Sequence, residues 1–333
     1  MTAQTRVGHR DWHWQMAHRI RGIEDLHRYG SIGVGHLSAS ARVSETYPIA
    51  ITSYYLSLIQ GSGLDHPIGK QCLPDPREID NVRGEKDPLQ EGRNMPVPGL
   101  VHRYPDRCLV LVTRVCAVNC RHCNRKHLWS KSPRTISRRM WQGILSYIGQ
   151  NKNLREVIIS GGDPLTLSDD LLDGLLGDLR KIHHVEVIRI GSRTPVVMPM
   201  RITRGLCGML KRHRPLWLNT QFNHPLEITP QSAKACERLL ESVIPVSSQT
   251  VLLRDVNDRF EVLKELFYGL QKISVRPYYL FHCDPVRGAW HFQTDIRDGL
   301  LIMENLWKSC SGLCLPRYIL DRAEGKTALD RFL

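Results

Sequence analysis

The chain has 333 residues, 41% hydrophobic and 24% charged, a mix typical of soluble globular proteins. No apolar run approaches the roughly 20 residues needed to cross a bilayer. The N-terminus, "MTAQTRVGHRDWHWQ", lacks the apolar core of a signal peptide, so a cytosolic protein is expected. The net charge of +13 suggests anionic partners, but Lys and Arg are dispersed among acids. Anionic small molecules, not nucleic acid, are therefore expected.

Residues 1–100 are expected to form a helical region that ends in a linker. Trp12, Met16, Ile20, Ile23 and Leu26 recur at helical spacing, and a second helix is expected over "ETYPIAITSYYLSLI", interrupted near Pro48. The stretch "PDPREIDNVRGEKDPLQEGRNMPVPG" is rich in Pro, Gly and charge and reads as the linker. From residue 107 the texture changes. "RCLVLVT", "REVIIS", "VEVIRIG", "LWLNTQF", "VIPVSSQTV" and "SVRPYYLF" are short apolar runs rich in β-branched residues. Amphipathic stretches such as "SRRMWQGILSYIG", "DLLDGLLGDLRKI" and "PQSAKACERLLES" separate them. That alternation implies a parallel α/β sheet covered on its faces. No GxGxxG follows the first strand, which disfavours a dinucleotide-binding sheet. A six-unit partial (βα) barrel over residues 101–290 is expected, followed by a short C-terminal segment, 291–333.

Ten cysteines in a reducing compartment are more often core residues, catalytic groups or metal ligands than disulfide partners. Three of them, Cys116, Cys120 and Cys123, fall in "CAVNCRHC" just after the first predicted strand, where parallel α/β folds build their sites. A structural zinc normally takes four ligands, and Cys310 and Cys314 lie far away in sequence. Three thiolates on a four-iron cluster leave one iron open to a further ligand. The spacing C-x3-C-x2-C resembles that of the radical S-adenosylmethionine (SAM) enzymes. The resemblance implies that these cysteines hold a [4Fe–4S] cluster whose open iron takes SAM. "SGGDPL" follows the second strand, and Gly161 and Gly162 permit close backbone approach to a ligand. In the resemblance, Ser160, Gly161, Gly162 and Asp163 belong to the SAM site, with Gln221 and Gln249 from later strands.

Beyond the cysteines, "DWHWQ", "PVPGLVHRYPDR", "IRIGSRTPVVMPMRIT", "LNTQFNHPLEIT", "QTVLLRDVND" and "VRPYY" resemble the lysine 2,3-aminomutase family from about residue 11 to about 328. That family moves an amino group from the α to the β carbon using SAM, the cluster and pyridoxal phosphate (PLP). The resemblance implies that Lys326, in "YILDRAEGKTALDRF", carries PLP, with Arg107 and Tyr104 of "HRYPDR" beside it. Arg125 matches the arginine that holds the substrate carboxylate. Asp284 and Asp321 match two acids that hold the distal ammonium of lysine, and two converging carboxylates call for a cation between them. Departures are visible. "RAEG" holds a single glycine before Lys326, Phe281 and His282 replace a tyrosine-bearing pattern, and Gln221 stands where a histidine is expected. The cysteine-bearing C-terminal extension of the clostridial type is absent from this sequence, so a structural zinc is not expected. A small amino-acid substrate is expected, L-lysine first and L-arginine second; service to elongation factor P modification is a further alternative. A flavodoxin or ferredoxin electron donor and a homo-oligomer complete the expectations.

Overall fold

The computed structural model describes residues 10–29, 37–59, 63–80, 83–129 and 135–332. The first residues of the stretch read for a signal peptide lie outside them. No helix among the described residues is long and apolar enough to cross a membrane.

The N-terminal region is built of short helices: α1 (Trp12–Ala17), α2 (Ile23–Arg28), α3 (Leu37–Thr46), α4 (Ser53–Leu56), α5 (Pro67–Cys72) and α6 (Arg77–Asp80). The single helix expected over Trp12 to Leu26 is two helices. Ile20 leaves the helix to exchange backbone hydrogen bonds with Ile51, at 2.8 and 3.1 Å. The second expected helix also breaks there, because Pro48 cannot donate to a helical carbonyl and Ile51 is committed to Ile20. The apolar residues keep their burial. Ile20, Leu26, Ile49 and Ile51 join the core cluster that runs on to Tyr318.

A nine-stranded sheet follows among the described residues: β1 (Leu100–Tyr104), β2 (Arg107–Thr113), β3 (Glu156–Gly161), β4 (Val187–Gly191), β5 (Leu216–Thr220), β6 (Val246–Leu252), β7 (Arg276–His282), β8 (Arg317–Arg322) and β9 (Gly325–Ala328). Strands β2 to β8 pair in chain order and in parallel, while β1 and β9 add antiparallel edges. The expected six strands are present, and the C-terminal segment supplies a seventh parallel strand, β8. Helices α7 (Arg138–Gln150), α8 (Asp169–Arg180), α9 (Thr194–Val197), α10 (Arg204–Arg212), α11 (Pro230–Glu241), α12 (Phe260–Lys272) and α13 (Ile296–Ser309) occupy the connections. Ser137, Ser168, Thr203 and Thr229 cap α7, α8, α10 and α11, each accepting a backbone N–H from three residues on. Each such cap stabilises its helix by about 1 kcal/mol.

One face of the sheet is packed against helices. Val110, Val112, Val157, Ile159, Ile188 and Ile190 are fully buried in the core cluster that also takes Ile144 and Ile148 of α7 and Leu172 and Leu176 of α8. The alternate residues Leu109, Ile158, Arg189, Gln249, Tyr279 and Phe281 line a cavity of ≈ 550 Å³ inside the barrel. The sheet is therefore covered by helices outside and hollow inside, not covered on both faces. Its two edges meet at the cavity wall. Arg103 of β1 pairs with Asp321 of β8 at 2.7 Å, and the backbone N–H of Lys326 in β9 donates to the Tyr104 hydroxyl at 3.1 Å.

Candidate active site

The loop after β2 carries the three cysteines. Its course is fixed by ion pairs to the segment read as a linker, which holds two buried carboxylates and the helix α6. Glu78 accepts from Arg121 at 2.6 and 2.8 Å and from Lys126 at 2.5 Å, and all three side chains are fully buried. Glu91 takes Arg125 side-on, Oε2 from Nε at 2.7 Å and Oε1 from Nη2 at 2.6 Å. Breaking a buried pair of this kind costs roughly 3–5 kcal/mol, so the stretch is a structural strap for the cysteine loop.

Cys116, Cys120 and Cys123 all line the cavity. Burial pushes the Cys116 and Cys123 thiols up, Cys123 to about 11, and the neighbouring cysteines push further. Three ionised sulfurs here would repel one another unless cations lay among them, so the donor set fits iron. Among the described residues no three His, Cys, Asp or Glu side chains gather closely enough for a single metal ion. In a four-iron cluster each thiolate binds a different iron, so its ligands need not converge on one ion.

The glycine pair after β3 packs against the cysteine loop. Gly161 has φ +128°, and a Cβ there would meet the Thr113 carbonyl oxygen at 2.3 Å; one on Gly162 would meet that of Val115 at 2.4 Å. The close approach they allow is to backbone: Gly162 N–H donates to Thr113 at 2.6 Å and Asp163 N–H to Val115 at 2.8 Å. The Asp163 carboxylate is held by the loop after β4 and by its own turn, accepting from Ser192 Oγ and from the backbone of Leu165, Arg193 and Thr194 at 2.7–3.0 Å. Ser160 accepts from Arg125 Nη1 at 3.3 Å. The Gln221 amide nitrogen lies 2.9 Å from His122 Nε2, tying it to the cysteine loop, and Gln249 lines the cavity from β6.

The far wall holds the other predicted residues. β8 and β9 form a hairpin whose turn is only Ala323 and Glu324, and its register sets Asp321 opposite Lys326. Directly opposed residues share a face, which puts Lys326 Nζ 2.6 Å from Asp321 Oδ2. Asp284, just beyond β7, accepts from Asn124 Nδ2 at 3.0 Å. Burial, then the charge of Asp321, raises Asp284 to about 7. Tyr104 lies under the Arg107 guanidinium at 3.7 Å from ring centroid to Cζ, and Arg107 also pairs with Asp106 at 2.7 Å. His282 bonds the Tyr318 hydroxyl at 2.9 Å, while the Phe281 ring lies 5.6 Å from Lys326 Nζ. All fifteen predicted site residues thus line one cavity. Three lining residues carry a buried nitrogen without a partner, namely Arg103 Nε, His122 Nδ1 and Arg189 Nε.

The pattern of the Radical SAM superfamily matches residues 110–267. The L-lysine 2,3-aminomutase of Fusobacterium nucleatum is 44% identical over 316 residues, 95% of this chain and 74% of that protein. That of Clostridium subterminale is 43% identical over 95% of this chain and 76% of its own length. This chain belongs to the lysine 2,3-aminomutase family. It is an aminomutase on a radical SAM partial barrel, and that superfamily implies a [4Fe–4S] cluster and SAM. The family includes relatives with other names, such as the glutamate 2,3-aminomutase of Clostridioides difficile, 39% identical over 96% of this chain and 77% of that protein.

Within this aminomutase, sequence reasoning missed Glu78, Glu91, Asn124, Arg189 and Arg193. The last two had a signal, since "VIRIGSRT" sets cations at and beyond the end of a strand whose loop should face the site. The two glutamates had none. Their partners lie 34 to 48 residues away, and a charged, proline-rich stretch reads as solvated.

Proposed function

We propose that this enzyme moves the α-amino group of a cationic amino acid, L-lysine first and L-arginine second, to the β carbon. Cys116, Cys120 and Cys123 hold the cluster and Lys326 holds PLP. The reading rests on one observation: three thiols, Lys326 and the Asp284–Asp321 pair converge on one cavity. When bound, the cluster with SAM supplies a one-electron route to a carbon radical, and PLP supplies a conjugated group that carries nitrogen between adjacent carbons.

The residues present fit these groups. The cavity volume is in the usual range for small ligands, roughly 300–1,000 Å³. Ser160, Gly161, Gly162, Gln221 and Gln249 line the cavity together with the cysteines, with Asp163 bracing the glycine turn, and are the SAM side. Tyr104, against which Arg107 and Lys326 both lie, and Arg189 from β4 line the same cavity and are the PLP side. Arg189 is paired through Nη2 with Glu156, and its Nε is left without a partner to support an anionic group such as a phosphate.

Asp321 is paired with both Arg103 and Lys326 in the present structure. Once Lys326 is engaged by a cofactor, Asp321 and Asp284 share Arg103 alone and are short of one cation, which a lysine or arginine side chain supplies. One relative is named for glutamate, but two buried acids disfavour an anionic side chain here. Burial and the charge of Asp321 push the Asp284 carboxyl up to about 7, and a cation binds its ionised form. KM for lysine should therefore fall as pH rises through 7, by up to about tenfold per unit on the acid side, and Asp284→Asn should flatten that dependence. A KM profile of the wild type that is flat from pH 5.5 to 8 would contradict the assignment.

At the other end of the substrate, Glu91 occupies the Nε–Nη2 side of Arg125 and leaves the Nη1–Nη2 end, beside Ser160, for a substrate carboxylate. Glu91→Gln should raise KM by about tenfold to a hundredfold in the iron-loaded fraction of the enzyme, the value of a charge-assisted hydrogen bond. Steady-state kinetics alongside an iron assay checks this. Substrate choice is tested by anaerobic incubation with lysine, arginine, ornithine, glutamate and alanine, with SAM, PLP and dithionite. Lysine should be converted fastest; conversion of glutamate or alanine ahead of both lysine and arginine would overturn the cation reading.

A further inference from the structure

Arg193 follows β4 and is only 8% exposed, yet it reaches a cysteine. Its Nη1 donates to Cys120 Sγ at 2.8 Å. Its Nη2 donates to Glu227 Oε1 at 2.6 Å, to the Tyr55 hydroxyl at 3.1 Å and to Gln71 Oε1, and its Nε donates to the Gln221 carbonyl at 3.3 Å. The backbone N–H is fixed as well, by Asp163 at 2.9 Å. Glu227 is fully buried, and its other oxygen accepts the backbone N–H groups of Asn223 and His224 at 2.5 and 3.0 Å. The guanidinium is therefore pinned against the sulfur, with its counter-charge on a different nitrogen.

Such an arrangement needs more than packing to explain it. A neutral thiol is a weak acceptor, and desolvating an arginine for its sake is unfavourable. A thiolate on iron keeps lone pairs that accept N–H donors, and hydrogen bonds to the sulfurs are among the factors that set cluster potentials. An electron entering the cluster adds negative charge to the iron, sulfide and thiolate unit. A fixed cation bonded to one ligand stabilises the reduced form more than the oxidised one.

We infer that Arg193 sets the electron affinity of the cluster, raising its reduction potential through Cys120, and that Glu227 moderates the effect by partly offsetting the charge. Arg193 is thus a tuning residue, distinct from the ligands. The inference rests on the cluster assignment proposed above.

The test is an EPR-monitored redox titration of the anaerobically reconstituted protein without SAM, with iron and sulfide counted in each sample. The double variant Arg193→Gln/Glu227→Gln buries no unpaired charge and should hold its iron. Its equilibrium constant for reduction should fall at least tenfold, a downward shift of about 59 mV for one electron. Glu227→Gln alone leaves Arg193 uncompensated and should shift the potential upward. Wild-type potentials in both variants, at full iron content, would overturn the inference, as would a change in SAM affinity with no change in potential. If the double variant holds no iron, Glu227→Gln decides: an upward shift supports the role of Arg193, and no shift or a downward one overturns it. Absence of iron from the wild type would instead sink the cluster assignment.

Discussion

Replacing Cys116, Cys120 or Cys123 by alanine is expected to remove iron, the brown colour and SAM cleavage together, leaving no measurable turnover. The three sulfurs line the same cavity wall, and the loop between them is held by the buried Glu78, Arg121 and Lys126 charges. With one thiolate gone the cluster loses one of its three protein ligands; among the described residues the one further cysteine that lines the cavity is Cys108 in β2. Cys207, Cys236 and Cys283 are at most 2% exposed and belong to apolar cores. Their replacement by alanine should leave the cluster in place. Iron and sulfide analysis, visible absorption and detection of the SAM cleavage product separate the two groups. A cluster with full SAM cleavage in any one of the three loop variants would remove that cysteine from the ligand set.

Lys326→Ala is expected to abolish amino migration while leaving iron content unchanged. Reactivity alone would point to a different lysine. Burial lowers Lys126 to about 8, the kind of shift that makes a lysine nucleophilic. Geometry decides against it: Lys126 Nζ donates to Glu78 Oε2, to the Arg121 carbonyl and to the Gly288 carbonyl, which uses all three donors, and the residue does not line the cavity. Lys326 has one strong partner, Asp321, and reaches the cavity from the edge of the sheet. Borohydride treatment of the PLP-loaded wild type followed by peptide mass spectrometry should find the adduct on Lys326. An adduct on Lys126 or any other lysine would overturn the assignment.

The barrel was legible because its strands are apolar runs with one fully buried face, and the cysteine loop because its spacing is local. Strands β1, β8 and β9 were not. "LVHRY", "RYILDR" and "GKTA" carry charges that turn toward the cavity or the hairpin edge, which hides their period. The glycine pair was found for a reason the structure changes, since Gly161 and Gly162 make room for the backbone of Thr113 and Val115. The single glycine before Lys326 looked like a defect of a long loop. It belongs to a tight hairpin, and the register of that hairpin, invisible in a one-dimensional pattern, brings Asp321 and Lys326 together. Glu91 and Glu78 were hidden for the related reason that their meaning lies in partners distant along the chain.

The most direct test of the proposed chemistry follows the nitrogen itself. Lysine isotopically labelled at the α-nitrogen is incubated anaerobically with the reconstituted enzyme, SAM, PLP and dithionite, and the products are read by NMR. The expected result is a β-amino acid with the label bonded to the β carbon, formed only when all components are present. Label released as ammonia, or retained at the α carbon while SAM is cleaved, would contradict the migration.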